Sequence, residues 1–153
     1  AYNLMPVLTA LENTEMVMEF QGIGAEARRK RARDVLDRLG LAAEMDRYPG
    51  QLSGGQQQRV AVARAIAGGP RVVIADEPTA NLDSTTTVSL MDLLVSLNVE
   101  DGTSFIFSSH DPLVIDRARR VIRLRDGQIE ATAAAGAVQP SPATSRHSVT
   151  VDG

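Results

Sequence analysis

The sequence predicts an α/β protein with a parallel-sheet core, because short apolar strand segments alternate with amphipathic helices. Two such segments, Val72–Ala75 and Ser104–Ser108, are rich in β-branched or aromatic residues. Helical patterns dominate the N-terminal part, which predicts a helical subdomain over residues 1–58 and a core over residues 59–130. Residues 131–153 are rich in Ala, Thr, Ser and Pro and contain no aromatic residue, so we expect a disordered tail.

The N-terminal part shows three helical patterns. In the first, which follows Pro6, Val7, Leu8, Leu11 and Val17 recur at roughly helical spacing until Gly22 and Gly24 break the pattern. The second covers Ala25–Leu39, with apolar residues along one face, and Gly40 suits its C-terminal cap. The third covers Gln56–Ala67 after a break at Ser53-Gly54-Gly55, and Gly68-Gly69-Pro70 ends it.

The core continues as strand and helix in alternation. Val72–Ala75 predicts a buried parallel strand, Ser84–Leu97 an amphipathic helix, and Ser104–Ser108 a second buried strand. Val121–Leu124 and Gln128–Glu130 flank an Asp-Gly pair, which predicts a β-hairpin.

Composition excludes several classes of function. The net charge of -3 does not suggest a nucleic-acid partner. The chain has no cysteine, which excludes disulfides and cysteine-based metal sites, and its two histidines cannot build a zinc site alone. No apolar run approaches the roughly 20 residues that a bilayer-spanning helix needs, and no signal peptide opens the chain. We therefore expect a cytoplasmic protein that reaches a membrane only through a partner.

Two acidic residues follow the first apolar strand. Asp76 ends the strand and Glu77 comes next, before Pro78 turns the chain. A carboxylate in this position holds Mg²⁺ in phosphoryl-transfer sites, and its neighbour can orient or deprotonate an attacking water. An ordinary acidic exit from a strand into a loop explains these residues equally well, so this segment alone leaves both interpretations open.

A more specific pattern lies at the start of the helix that ends the helical subdomain. Ser53, Gly54, Gly55 and Gln56 place backbone N–H groups and a hydroxyl at a helix N-terminus, which is a ready site for an anion. A plain helix cap with a glycine-rich approach is the alternative interpretation.

The order and spacing of these segments resemble the ATPase subunits of ATP-binding cassette (ABC) transporters. Leu52–Arg59 resembles the signature motif, Val72–Pro78 the Walker B strand with its catalytic glutamate, and Ala80–Asp83 the D-loop. Ser109–Asp111 resembles the switch-histidine segment. Tyr2–Asn13 is most similar to the lipoprotein-release and macrolide-export type. The resemblance covers about residues 1–130 and implies part of a P-loop NTPase fold, with a RecA-like core.

The resemblance also implies roles for individual residues. In this family, two ATPase subunits sandwich two ATP molecules, so Ser53, Gly54, Gly55 and Gln56 would contact the γ-phosphate of the ATP held by a second subunit. Asp76 would serve Mg²⁺. The remaining assignments are Glu77 as general base, His110 as γ-phosphate sensor and Asp83 as a link across the dimer.

The same resemblance implies partners and location. A homodimer is expected, with the helical subdomain facing transmembrane permease subunits and no nucleic acid involved. The protein would be peripheral on the inner face of the cell membrane. Two other hypotheses remain: an ABC ATPase outside transport, and a truncated, inactive module that docks without hydrolysing ATP.

The family's glycine-rich Walker A loop, with its Lys and Ser/Thr, is not found in these 153 residues. The sequence is therefore expected to be a fragment. Ser109 also stands where Thr is common in the family.

We expect residues 1–153 by themselves neither to bind ATP tightly nor to hydrolyse it. The phosphate cradle of the family consists mostly of backbone N–H groups and the lysine of the Walker A loop. Isothermal titration with Mg-ATP checks this expectation. Micromolar affinity together with turnover would contradict it.

Overall fold

The computed structural model describes residues 2–80, 82–134 and 148–152, which form helices, two short 3₁₀ turns and one mixed sheet. The α-helices are α1 (Ala10–Phe20), α2 (Ala25–Arg38), α3 (Gly54–Ala67), α4 (Ser84–Asp101) and α5 (Pro112–Ile115). The strands are β1 (Val72–Asp76), β2 (Ser104–Ser109), β3 (Arg120–Arg125), β4 (Gln128–Ala134) and β5 (Ser148–Asp152). No helix within these described ranges has both the length and the apolarity needed to cross a membrane.

The chain divides into two compact units between Pro70 and Arg71. The boundary expected between residues 58 and 59 falls inside α3, which runs unbroken from Gly54 to Ala67. The whole of α3 packs with α1 and α2, so the helical unit extends to residue 70 and the second unit begins just before β1.

The helical unit is a packed cluster of α1, α2 and α3. Its buried apolar side chains come from all three helices and the segments between them: Leu11, Met18, Ala32, Val35, Leu36, Leu39, Leu41, Leu52, Val60, Ala63 and Ile66. Arg28 of α2 donates to Glu15 of α1 across 3.3 Å, so part of the basic helix α2 is engaged in ion pairing within the unit.

Asn13 fixes the segment that leads into α1. This side chain is fully buried; its Oδ1 accepts from the Met5 N–H at 2.8 Å, and its Nδ2 lies within 3.1 Å of three carbonyl oxygens, those of Met5, Leu8 and Thr9. Because a buried amide is costly unless its polar atoms are paired, this arrangement locks residues 5–9 onto the first turns of α1.

The second unit is built on a sheet of order β1-β2-β5-β3-β4. The pair β1–β2 is parallel, while β5 lies antiparallel to both β2 and β3, and β3–β4 is the antiparallel hairpin that the Asp-Gly pair predicts. Helix α4 contributes Leu90, Met91, Leu94 and Leu97 to the core, beside Phe105 and Phe107 of β2.

Two expectations about this unit need correction. Strand β1 is not buried: Ile74 is 77% exposed, because little within the described ranges covers the face of the sheet on which its side chain lies. The disordered tail expected over residues 131–153 needs correction in two segments. Strand β4 continues to Ala134, and β5 forms over Ser148–Asp152, because both segments pair with β3 through backbone hydrogen bonds. Residues 135–147 and 153 lie outside the described residues.

Candidate functional site

The predicted anion-binding residues form a capping box at the start of α3. Ser53 is the N-cap, and its Oγ accepts from the Gln56 N–H at 3.2 Å. In return, the Gln56 Oε1 accepts from the Ser53 N–H at 2.9 Å. These reciprocal bonds use two of the amide groups that a helix start leaves without intrahelical partners. The geometry leaves the N–H groups of Gly54 and Gly55 at the first helical turn for an external acceptor.

In the second unit, the parallel register of β1 and β2 assembles the acidic site. Asp76 pairs with Ser108, so the chain leaves both strands at the same edge of the sheet. Glu77 has a left-handed φ of 45°, a region that non-glycine residues seldom occupy. Its N–H donates to the Ser108 carbonyl at 2.8 Å, which holds the unusual backbone in place.

Glu77 and His110 lie side by side at this edge. The distance between His110 Nδ1 and Glu77 Oε1 is 2.7 Å. The hydrogen bond and the negative charge of Glu77 raise the pKa of His110 above its ordinary value. The imidazole is 75% exposed and the carboxylate 24%. The other face of the ring therefore remains open to solvent, where a ligand could approach it.

Two buried hydroxyl groups lie near this carboxylate, one bonded to Glu77 and the other to Asp111, and the sequence pattern did not identify these contacts. Ser109, fully buried, places its Oγ 3.4 Å from Glu77 Oε2 and accepts from the Asp111 N–H at 3.1 Å. Thr79, also buried, donates through Oγ1 to Asp111 Oδ2 at 3.1 Å. The sequence does show small hydroxyl residues beside the acidic and histidine motifs. It does not show that they bond to Asp111 and Glu77, because each of these pairs is 32 residues apart.

Asp83 has a local structural partner. It is the N-cap of α4, and its carboxylate accepts from the Thr86 N–H at 3.0 Å and from the Thr86 Oγ1 at 2.7 Å. These hydrogen bonds from Thr86 lower the pKa of Asp83. Its neighbour Asn81, in the predicted D-loop, lies outside the described residues.

Asp76 ends β1 with an exposed side chain. Within the part of the chain that the structure describes, no group of three or more His, Cys, Asp or Glu side chains forms a metal site. An exposed carboxylate nevertheless fits Mg²⁺, which takes oxygen ligands and is often held by one or two carboxylates together with substrate phosphates and water. Asp76 thus offers one carboxylate ligand of the kind that holds Mg²⁺ together with phosphate and water ligands.

The predicted site residues therefore form two groups, one in each compact unit. Ser53, Gly54, Gly55 and Gln56 lie together at the start of α3. Asp76, Glu77 and His110 lie at one edge of the sheet in the second unit.

Comparison with known proteins identifies the family of the chain. The family profile described as ABC transporter matches residues 1–80. A macrolide export ATP-binding/permease protein, MacB 1/2 of Paracoccus denitrificans, is 47% identical over 141 residues, covering 92% of this chain and 21% of that protein. An uncharacterized ABC transporter ATP-binding protein of Thermotoga maritima is 44% identical over 138 residues, covering 90% of this chain and 58% of that protein.

Solved structures agree as well. The dimeric ABC transporter cassette MJ0796 superposes with a TM-score of 0.77 at 44% identity, covering 87% of this chain and 59% of that chain. A post-hydrolysis state of MJ0796 bound to ADP and Pi gives a TM-score of 0.76. The chain thus spans about a fifth of the macrolide exporter and somewhat more than half of the shorter relatives. On the family match and these similarities, the chain belongs to the ABC transporter family.

Proposed function

We propose that this chain supplies the signature and hydrolytic residues of an ABC-type ATPase that drives a membrane transporter. The single observation that carries the proposal is the contact between Glu77 and His110 at the end of two parallel strands, 2.7 Å apart. Family membership supports it, and so does the similarity to a cassette whose structure holds ADP and Pi.

In the proposed reaction, Glu77 orients the attacking water and accepts its proton, a task for which a carboxylate must lie within hydrogen-bonding reach. His110 presents its free ring nitrogen to the γ-phosphate. The raised pKa of His110 favours a ring that can donate a hydrogen bond to a phosphate oxygen. Asp76 would hold Mg²⁺, whose charge would neutralise phosphate oxygens as they develop negative charge.

The signature residues would act on a second ATP. Gly54 and Gly55 offer N–H groups at the positive end of the α3 dipole, where phosphate oxygens bind well. In the described capping box, Ser53 and Gln56 hold each other, so they keep the two glycine amides in a fixed orientation. Such a site would complete the ATP pocket of a partner subunit in a homodimer.

Transport follows from this arrangement as a further part of the proposal. Closure of the dimer on ATP and reopening after hydrolysis would move permease subunits in the membrane, a switch governed by the γ-phosphate. The subunit would be located on the cytoplasmic face, attached through those permease subunits. The similarity to macrolide export proteins that combine ATP-binding and permease parts supports this assignment.

A chimera provides the ATP site needed for tests. Residues 1–153 are fused to the part of the MJ0796 cassette that the chain does not match, so that the missing phosphate-binding loop is supplied. Turnover and ATP-dependent dimerisation are measured on this chimera.

Ser53→Ala should impair ATP-dependent dimerisation in the chimera, whereas Thr9→Ala should not. Each residue is the N-cap of a complete capping box, with its side-chain oxygen 3.2 Å from the N–H three residues later. Both substitutions should therefore cost about 0.5–2 kcal/mol of stability. Only Ser53 adjoins the proposed phosphate site.

Light scattering with Mg-ATP, together with thermal melting, measures both effects. Equal loss of dimer in the two variants would assign Ser53 to helix stability alone and count against the proposed contact.

A further inference from the structure

Ser109 at the end of β2 contacts Glu77, the residue that follows β1. It is the last residue of β2 and is fully buried. Its Oγ lies 3.4 Å from Glu77 Oε2, the carboxylate oxygen that does not contact His110. Glu77 is therefore held at one oxygen by the imidazole and at the other by the hydroxyl.

The direction of the serine hydrogen bond follows from its second contact. The Asp111 N–H donates to Ser109 Oγ at 3.1 Å, which occupies a lone pair on the hydroxyl oxygen. A hydroxyl has a single proton to donate, and the neighbouring Glu77 oxygen is the acceptor that it faces. Donation to a carboxylate is stronger than donation to a neutral oxygen, so this short chain of bonds favours one carboxylate orientation.

Asp111 is itself fixed by two further bonds. Its Oδ1 accepts from the Leu113 N–H at 2.9 Å as the N-cap of α5. Its Oδ2 accepts from Thr79 Oγ1 at 3.1 Å. Because Thr79 follows β1 and Asp111 follows β2, this bond ties together the two loops that carry Glu77 and His110.

We propose that Ser109 is a positioning residue for Glu77, and that the Thr79–Asp111 bond keeps Ser109 and Glu77 in register. The inference rests on the proposed function, since it assumes that Glu77 acts on water. Ser109 would not touch ATP. It would limit rotation of the Glu77 carboxylate. One carboxylate oxygen would then stay directed at the attacking water when His110 turns toward phosphate.

The first test compares Ser109→Ala with Ser109→Thr in the chimera. Loss of a hydrogen bond to a charged group should lower kcat about tenfold, while KM for ATP and the Kd for Mg-ATP stay within about twofold. Ser109→Thr retains the hydroxyl and should restore most of kcat. Unchanged kcat in Ser109→Ala, or an equal loss in both variants, would overturn the proposal.

A second pair guards against misfolding at this buried position. Thr79→Val has nearly the shape of threonine but lacks its hydroxyl, whereas Thr79→Ser keeps the hydroxyl and loses a methyl group. We expect a several-fold lower kcat in Thr79→Val and near-normal kcat in Thr79→Ser at similar melting temperatures. The reverse order would show that packing, and not the bond to Asp111, matters at this position.

A spectroscopic measurement on the 153-residue chain avoids turnover altogether. The chain has two histidines, His110 and His147, so ¹⁵N-histidine labelling gives two imidazole spin systems, and His147→Gln assigns them. Ser109→Ala should move the His110 Nδ1 signal toward that of a free imidazole, because the loosened Glu77 carboxylate holds it less well. An unchanged His110 signal would count against the positioning role.

Glu77→Gln separates this inference from the proposed function. If Glu77→Gln abolishes turnover and Ser109→Ala does not change it, only the positioning role fails. If Glu77→Gln keeps normal turnover, the proposed function fails, and the role of Ser109 fails with it.

Discussion

Replacing Glu77 by Gln should reduce ATP turnover by about 100- to 10,000-fold while leaving Mg-ATP binding intact. Gln keeps nearly the same shape and can still bond to Ser109 and His110, but it accepts a proton far less readily. ATP binding in the proposal depends on the phosphate loop and on the amides of Gly54 and Gly55, which the substitution does not touch.

Phosphate release and Mg-ATP titration measure the two quantities separately. Glu26→Gln makes the same chemical change in the first turn of α2, on the exposed surface of the helical unit, and serves as the control. Near-normal turnover in Glu77→Gln would remove Glu77 as the catalytic carboxylate.

Asp76→Asn should act on binding itself. The amide keeps an oxygen ligand but removes the negative charge that attracts Mg²⁺. Mutation of residues that only hydrogen-bond to metal ligands weakens metal binding by roughly 10- to 100-fold. Because Asp76 would contact the ion itself, we expect the Kd for Mg-ATP to rise by at least that factor. Raising the Mg²⁺ concentration should recover part of the loss.

Calorimetric titration at several Mg²⁺ concentrations checks this second prediction, and the Glu77→Gln variant is its matched comparison, because it changes the adjacent carboxyl in the same way. If both variants bind Mg-ATP with wild-type affinity, Asp76 does not hold the metal ion.

Local signals were sufficient to predict most elements of the fold. Gly40 has a φ of +69° just after α2, as its predicted capping role requires. The apolar run before Asp76 is a strand, and the Asp-Gly pair at residues 126 and 127 joins β3 and β4. These features depend on residues that are close together in sequence.

The failures share a physical origin in long-range packing. Hydrophobicity predicted a buried β1, but burial depends on what lies against the strand, and Ile74 has little cover among the described residues. A boundary at the signature motif divides α3, because a motif gives no information on which helices pack together. Composition likewise could not predict β5, whose ladder partners are β2 and β3.

In the candidate site, too, the features that nearby residues determine were predicted, and those that depend on long-range packing were not. Motif order predicted that Asp76, Glu77 and His110 act together, and the parallel register explains why Glu77 and His110 meet. The contacts of Ser109 and Thr79 could not be predicted, since they depend on how two loops fold against each other. Asp83 has a clear local role as the cap of α4, and its proposed role across a dimer remains a prediction.

The most direct test of the central claim is the mass of the Glu77→Gln chimera in solution, measured by size-exclusion chromatography with light scattering. In Mg-ATP we expect a persistent dimer, because ATP is bound between two subunits and is not hydrolysed. With EDTA or ADP in place of Mg-ATP, the same protein should be a monomer. A Glu77→Gln chimera that stays monomeric in Mg-ATP while binding the nucleotide would contradict the claim that these residues form an ATP-sandwich ATPase.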